Sequence, residues 1–122
     1  MIERDFLLRQ VHQLAQVLAV VVGRRGDGGA EEAQGALADG VASAMGLSLA
    51  ELRLMGRAEV EALVTEDGLV MPEKAVALAD LLREDAGAAG RVRARWLYEV
   101  AVRAGGPVPF DVAARIAALP TG

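Results

Sequence analysis

The chain has 122 residues, 53 % of them hydrophobic, a net charge of -4 and no cysteine. This length fits one domain with a single core. The absence of cysteine excludes disulfides, thiol catalysis and thiolate metal sites, and it fits a reducing compartment. The negative charge disfavours nucleic-acid binding, which depends on Lys and Arg contacts to phosphates. We therefore expect residues 1–122 to form one cytoplasmic domain.

The composition favours an all-α fold. The only aromatic residues are two Phe, one Trp and one Tyr, so Ala, Val and Leu must fill the core. Ala and Leu are strong helix formers, and proline is confined to positions 72, 107, 109 and 120. No segment shows the alternation that is typical of a strand. We predict a compact array of about five main helices plus two short ones, without a sheet.

The first predicted helix, residues 3–22, carries apolar residues at alternating spacings of four and three: Leu7, Val11, Leu14, Leu18 and Val21. This spacing is typical of a helix packed lengthwise on others, and Gly23 is its predicted end. Val17, Val20 and Val22 make the last two turns apolar on nearly all sides, more than one neighbouring helix covers. We therefore expect a homodimer through this helix.

The same helix contains an apolar run, residues 14–22, that is short for a membrane span. Nine residues rise about 14 Å as helix, whereas the hydrocarbon core is roughly 30 Å thick. Charged residues precede the run, among them Glu3 and Arg9, and no small-residue cleavage site follows it, which differs from a signal peptide. We expect a core helix and no membrane partner.

Small residues line the second predicted helix, residues 30–45, where Gly35 and Gly40 favour close approach of the first helix in an antiparallel arrangement. Ser48 and Glu51 form a capping-box pattern that opens a short helix ending at Gly56. A further short helix is expected over residues 59–66.

The C-terminal half is predicted to contain three helices. Pro72 opens a helix through residue 86, and residues 91–104 form the next one, with Trp96 in the core. Pro109 opens the last helix, which is expected to bury four residues: Phe110, Ala113, Ile116 and Ala117.

Two segments share a plus-four, plus-three spacing of small, large and small residues: Ala33, Leu37 and Gly40 in one, Ala94, Tyr98 and Ala101 in the other. This pattern resembles the second helix of a tetratricopeptide repeat and implies helix pairs, although the usual first-helix Trp, Gly and Tyr are missing. The segments IERDFLLRQV and QLAQVLAV also resemble the start of small, all-helical bacterial proteins. That resemblance implies a fold and no activity.

The sequence has no pattern that would assemble a metal or cofactor site. His12 is the only histidine and lies beside Gln13, which is typical of a solvated helix position. Neighbouring carboxylates such as Glu31 and Glu32 point about 100° apart on a helix. We therefore predict no catalytic residue, cofactor or metal. The alternative is a small enzyme or ligand-binding bundle whose polar groups meet only in three dimensions. Its candidate participants are His12, Tyr98, Asp111 and Arg115.

Arginines recur every fourth position along residues 91–103, interrupted by Glu99, which is typical of a solvated helix face. Aromatic residues between them also fit a surface for an acidic peptide. Together with the valines of the first helix, they give the candidate interaction surface: Val17, Val20, Val22, Arg91, Arg95 and Tyr98.

These features favour a non-enzymatic protein–protein interaction or assembly module whose partner the sequence does not encode. A structural subunit of a larger complex fits the same features. Obligate co-purification with one partner would distinguish such a subunit from an adaptor.

Overall fold

The computed structural model describes residues 2–122, with side chains from Asp5 onward. In this part of the chain 71 % is helical and one hairpin provides the strands, so the predicted all-α class is confirmed. The elements are α1 (Ile2–Gly26), α2 (Ala30–Met45), α3 (Leu49–Leu54), α4 (Arg57–Ala62), β1 (Thr65–Glu66), β2 (Leu69–Val70), α5 (Pro72–Leu82), α6 (Ala88–Ala104) and α7 (Val112–Ala117).

Two helical hairpins, α1 with α2 and α5 with α6, pack on each other through α1 and α5. The α1–α2 pair is antiparallel as expected, since the Gln10 side chain near the start of α1 donates to the Ala44 carbonyl near the end of α2, at 3.1 Å. The end of α1 meets the end of α5, where the Arg25 guanidinium donates to the Glu84 carboxylate at 2.7 Å. α1 therefore lies between α2 and α5.

The core fills the space between these helices, and α1 contributes little to it. Leu14 and Val21 are fully buried, whereas Leu7, Val11 and Leu18 of the predicted apolar seam are half-buried. The helix also continues to Gly26 instead of ending at position 23. The short apolar run thus belongs to a helix of 25 residues.

A close contact between Val17 and Gly40 fixes how α1 approaches α2. A Cβ atom placed on Gly40 would lie 2.1 Å from Cγ1 of Val17, a distance at which two carbon atoms overlap. The glycine therefore creates the space that the valine occupies, as the small-residue pattern predicts. Gly35 lies on the exposed side of α2, and a Cβ atom there would contact nothing.

The connection between the hairpins differs from the prediction in two respects. The capping box is confirmed, because the Ser48 hydroxyl accepts from the Glu51 amide at 3.0 Å and the Glu51 carboxylate accepts from the Ser48 amide at 3.1 Å. The second short helix ends at residue 62, however, and the expected absence of strands is wrong. Asp67 and Gly68 turn the chain with φ of 51° and 78°, so that β1 and β2 pair antiparallel.

A buried carboxylate joins α2, α3 and the segment between α5 and α6. Asp85 accepts two hydrogen bonds from the Arg53 guanidinium, at 2.7 and 2.9 Å, and one from the Gln34 amide at 2.8 Å. Burial opposes ionisation of this carboxyl. The hydrogen bonds from Arg53, Gln34 and the Gly87 amide outweigh that effect and hold the pKa of Asp85 below its usual value.

Three further expectations for the C-terminal half need correction. α5 ends at Leu82, four residues early, and Trp96 is half-buried, with the Arg93 guanidinium 4.8 Å from its ring centre. α7 begins at residue 112 instead of at Pro109, and the Val112 amide donates to the Pro109 carbonyl at 3.0 Å in the turn before it. Phe110, in this turn, is fully exposed instead of buried. Ala113 and Ala117, also expected in the core, are exposed, and Ile116 is half-buried.

The same substitution at the two α2 glycines is expected to have opposite effects. Gly40→Ala places a methyl group into Val17, forces the helices apart and lowers the free energy of unfolding by about 1–3 kcal/mol. Gly35→Ala meets no neighbour and raises it by about 0.5–1 kcal/mol through helix propensity. Urea denaturation of both variants measures this. Equal effects would contradict the close contact.

Removal of the Asp85 charge is expected to lower stability at neutral pH and to make stability less dependent on pH in the acid range. Because the folded pKa of Asp85 lies below the unfolded value of about 3.9, its contribution is present above about pH 4 and is lost as the pH falls through the folded pKa. Asp85→Asn should cost about 3 kcal/mol at neutral pH and flatten the acid limb of the stability profile. Asp39→Asn, at an exposed position of α2, is the control and should change stability by less than about 0.5 kcal/mol.

Candidate functional site

An open groove of about 340 Å³ lies between α1, α5 and the segment before α7. Its lining is Val11, Ala15 and Leu18 from α1, Glu73, Val76, Ala77 and Asp80 from α5, and Pro107, Val108 and Pro109. Most of these side chains are apolar, and the two prolines restrict the backbone of the third wall. The groove is therefore a preformed apolar surface.

The α1 wall of the groove belongs to a longer stripe that we call the open seam: Leu8, Val11, Ala15, Leu18 and Val22. Spacings of three and four place these five residues on one side of the helix, away from α2. Leu8 is 45 % exposed and Val22 is 51 % exposed. The groove thus continues in both directions along α1.

A cluster of polar side chains adjoins the groove at Asp80. The Asp80 carboxylate accepts hydrogen bonds from the Tyr98 hydroxyl and, at 2.7 Å, from the Arg115 guanidinium. Arg115 also contacts the Asp111 carboxylate at 3.1 Å. The cluster therefore joins α5, α6 and α7, and its Asp80 is also part of the groove lining.

The environment of Tyr98 keeps its hydroxyl protonated. The side chain is fully buried, and both burial and the neighbouring Asp80 carboxylate raise the pKa of Tyr98 above its ordinary value. Arg115 also has its pKa raised, since its hydrogen bonds outweigh the burial that opposes its charge. The hydroxyl is a donor to Asp80, and the cluster is a set of mutually satisfied groups.

Three of the four residues suggested for a site formed in three dimensions come together here: Tyr98, Asp111 and Arg115. His12 lies exposed on α1 and does not line the groove. Asp80, which accepts hydrogen bonds from Tyr98 and Arg115, is absent from the sequence-based candidates. Its signal was weak, because Asp80 stands alone in a helix pattern that otherwise indicates only a buried face.

The predicted interaction surface is divided by the structure. Val17 packs on α2, and Val20 and Val22 are both exposed but point about 160° apart around α1. Tyr98 is buried in the core and is not part of any surface.

The predicted arginines also have other contacts. Arg95 donates to the carbonyls of Ile116 and Leu119 at 3.0 and 2.9 Å, which ties α6 to the C-terminal segment. The Arg91 Nε atom is buried without a hydrogen-bond partner among the described residues. Arg95 therefore holds α6 against the C-terminal segment, and the predicted arginine stripe is not a uniformly free cationic face.

Two general properties of the described residues bear on the site. No group of three or more His, Asp or Glu side chains among them is placed to hold a metal ion.

The first helix is long and apolar enough, by length and composition alone, to cross a membrane over Asp5–Gly26, with a mean hydropathy of 1.3. Only 11 % of the residues in its most apolar stretch are buried inside the protein. Much of the apolar surface of α1 is therefore uncovered by its own chain.

Comparison with protein-family models, curated proteins and solved structures finds no match for this chain.

The protonation of Tyr98 gives a measurement of the cluster. Because its folded pKa is raised, Tyr98 stabilises the fold fully below about pH 10 and loses that contribution as the pH rises above it. The chain has one tyrosine, so phenolate absorbance reports this group alone. We expect the phenolate to form only well above the usual titration range of tyrosine, together with unfolding. Titration near pH 10 without loss of helix would contradict the buried hydrogen bond.

Proposed function

We propose that this chain is a non-enzymatic protein–protein interaction or assembly module that binds the apolar face of another helix along its open seam and groove. The observation that carries the proposal is the uncovered apolar side of α1, where two residues at the ends of the seam remain half exposed. Exposed contiguous apolar surface beside a formed groove is typical of interaction sites in soluble proteins.

The spacing of the seam favours a helix as the bound element. Residues that alternate by three and four form a row of side chains and holes that another helix can fill at a distance of about 8–10 Å. The small Ala15 side chain lies in the middle of the row, flanked by Val11 and Leu18. This arrangement allows close approach at the centre and side-chain packing on either side.

The polar cluster supports a structural role better than a catalytic one. Its hydroxyl, guanidinium and carboxylate groups bond to each other, and the pKa of Tyr98 is shifted away from the range in which a base acts near neutral pH. Three of the four residues proposed for a small enzyme therefore lie in this cluster, but none of them is a free acid or base.

A pair of matched variants tests the docking surface. Val22 lies on the open seam, whereas Val20 is equally exposed, at 49 %, on the other side of α1. Tagged wild type, Val22→Glu and Val20→Glu are used as baits in extract of the native host, followed by mass spectrometry. We expect a partner that binds wild type and Val20→Glu and is reduced at least about tenfold by Val22→Glu, since the new carboxylate must be desolvated.

Circular dichroism confirms that both variants are folded. The same proteins on all three baits would refute the seam as the docking surface. Stoichiometric co-purification with one partner would instead favour the structural-subunit alternative.

A further inference from the structure

The occupant of the open seam follows from its symmetry. Leu8 and Val22 lie seven residues before and after Ala15, and Val11 and Leu18 lie four before and three after it. We propose that the seam binds the same seam of a second copy in antiparallel orientation, forming a two-fold symmetric dimer. This inference rests on the proposed function and names its partner.

The sizes of the side chains along the seam suit pairing with an antiparallel second copy. Leu8 comes within one helical turn of Val22 of the second copy, Val11 meets the Leu18 region, and the Ala15 residues lie near the two-fold axis. In a two-fold interface each contact occurs twice, so a surface must be complementary to itself. Large side chains at the ends and a small one at the centre fulfil that condition.

The charges of α1 also favour self-association. From Gln10 to Gly23 the helix has no Asp, Glu, Lys or Arg, so two seams meet without like charges between them. The basic residues Arg24 and Arg25 lie together at the C-terminal end. A parallel pair would bring these arginines together, whereas an antiparallel pair separates them and opposes the two helix dipoles.

The available area is sufficient for a weak dimer. The seam from Leu8 to Val22 spans about 21 Å of helix, and a strip about 10 Å wide along it covers on the order of 200 Å² per copy. The total of about 400 Å² is below that of standard specific interfaces, as in weak, transient complexes. A dimer that forms only at tens of micromolar and above is therefore expected.

Sedimentation of the purified full chain tests the association. Wild type and Val20→Glu should be dimeric at tens of micromolar, and Val22→Glu should weaken dimerisation at least about tenfold. A monomeric wild type would overturn the inference. The proposed function would survive that result if a different protein binds wild type and is lost with Val22→Glu.

Cysteine cross-linking tests the orientation, because the natural chain has no cysteine. With a short bis-maleimide, Ala15→Cys should form covalent dimers, and a mixture of Leu8→Cys and Val22→Cys should form mixed dimers. Leu8→Cys alone should not, since the two positions lie about 21 Å or more apart in an antiparallel pair. Ala42→Cys, exposed on α2, is the negative control.

Two results would identify other arrangements. Efficient cross-linking of Leu8→Cys to itself would show a parallel pair and overturn the antiparallel geometry. Binding of a monomeric wild type, but not of Val22→Glu, to vesicles of phosphatidylcholine and phosphatidylglycerol would show that lipid covers the seam, and it would refute both the dimer and the helix-binding proposal.

Discussion

The contact between Val17 and Gly40 determines which side of α1 is available to a partner. Because a glycine replaces a side chain at that point, α2 approaches α1 closely and covers the side that carries Gln10 and Val17. α5 then covers the side of Leu14 and Val21. The remaining side has no further helix of the same chain in the described structure. One missing methyl group in α2 thus sets the orientation of the seam.

Two carboxylates on and just after α5 then hold the other elements around this pair of helices. Asp85 joins α2 and α3, while Asp80 joins α6 and α7 and lies in the groove lining. Both are bound by arginines, whose planar guanidinium groups suit two-point contacts with carboxylates. The apolar residues drive collapse, and these ion pairs select the arrangement in which the groove is formed.

Elements encoded by local physics were predictable from the sequence. The capping box of Ser48 and the close approach at Gly40 are indicated by residue types in the local sequence, and both are confirmed, whereas Gly35 lies on the exposed side of α2. The hairpin was missed although Asp67 and Gly68 form a strong turn signal, because each strand has only two residues and shows no alternation. The spacing of Phe110 predicts burial only if the helix begins at Pro109, but α7 begins at residue 112 and Phe110 lies before it.

The site itself depends on distant pairs, and the sequence indicates them only in part. Tyr98, Asp111 and Arg115 are candidates from the sequence, but Tyr98 and Arg115 reach Asp80 across 18 and 35 positions, and Asp111 joins the cluster through Arg115. The sequence also does not show that Val22 lies on the open seam and Val20 on another side of α1, because an apolar pattern does not show which sides of a helix a neighbour covers.

The position of α1 between α2 and α5 also has a consequence for the order of folding. Across α1 and α2, Val17 contacts Gly40 23 positions away and Gln10 contacts Ala44 34 positions away, whereas Arg25 meets Glu84 across 59 positions. Contacts that are near in sequence form faster, so the first hairpin assembles while α5 is still being synthesised. At that stage the side of α1 that α5 will cover is exposed together with the open seam. The nascent chain therefore exposes more apolar surface on α1, and is more prone to associate, than after α5 has packed.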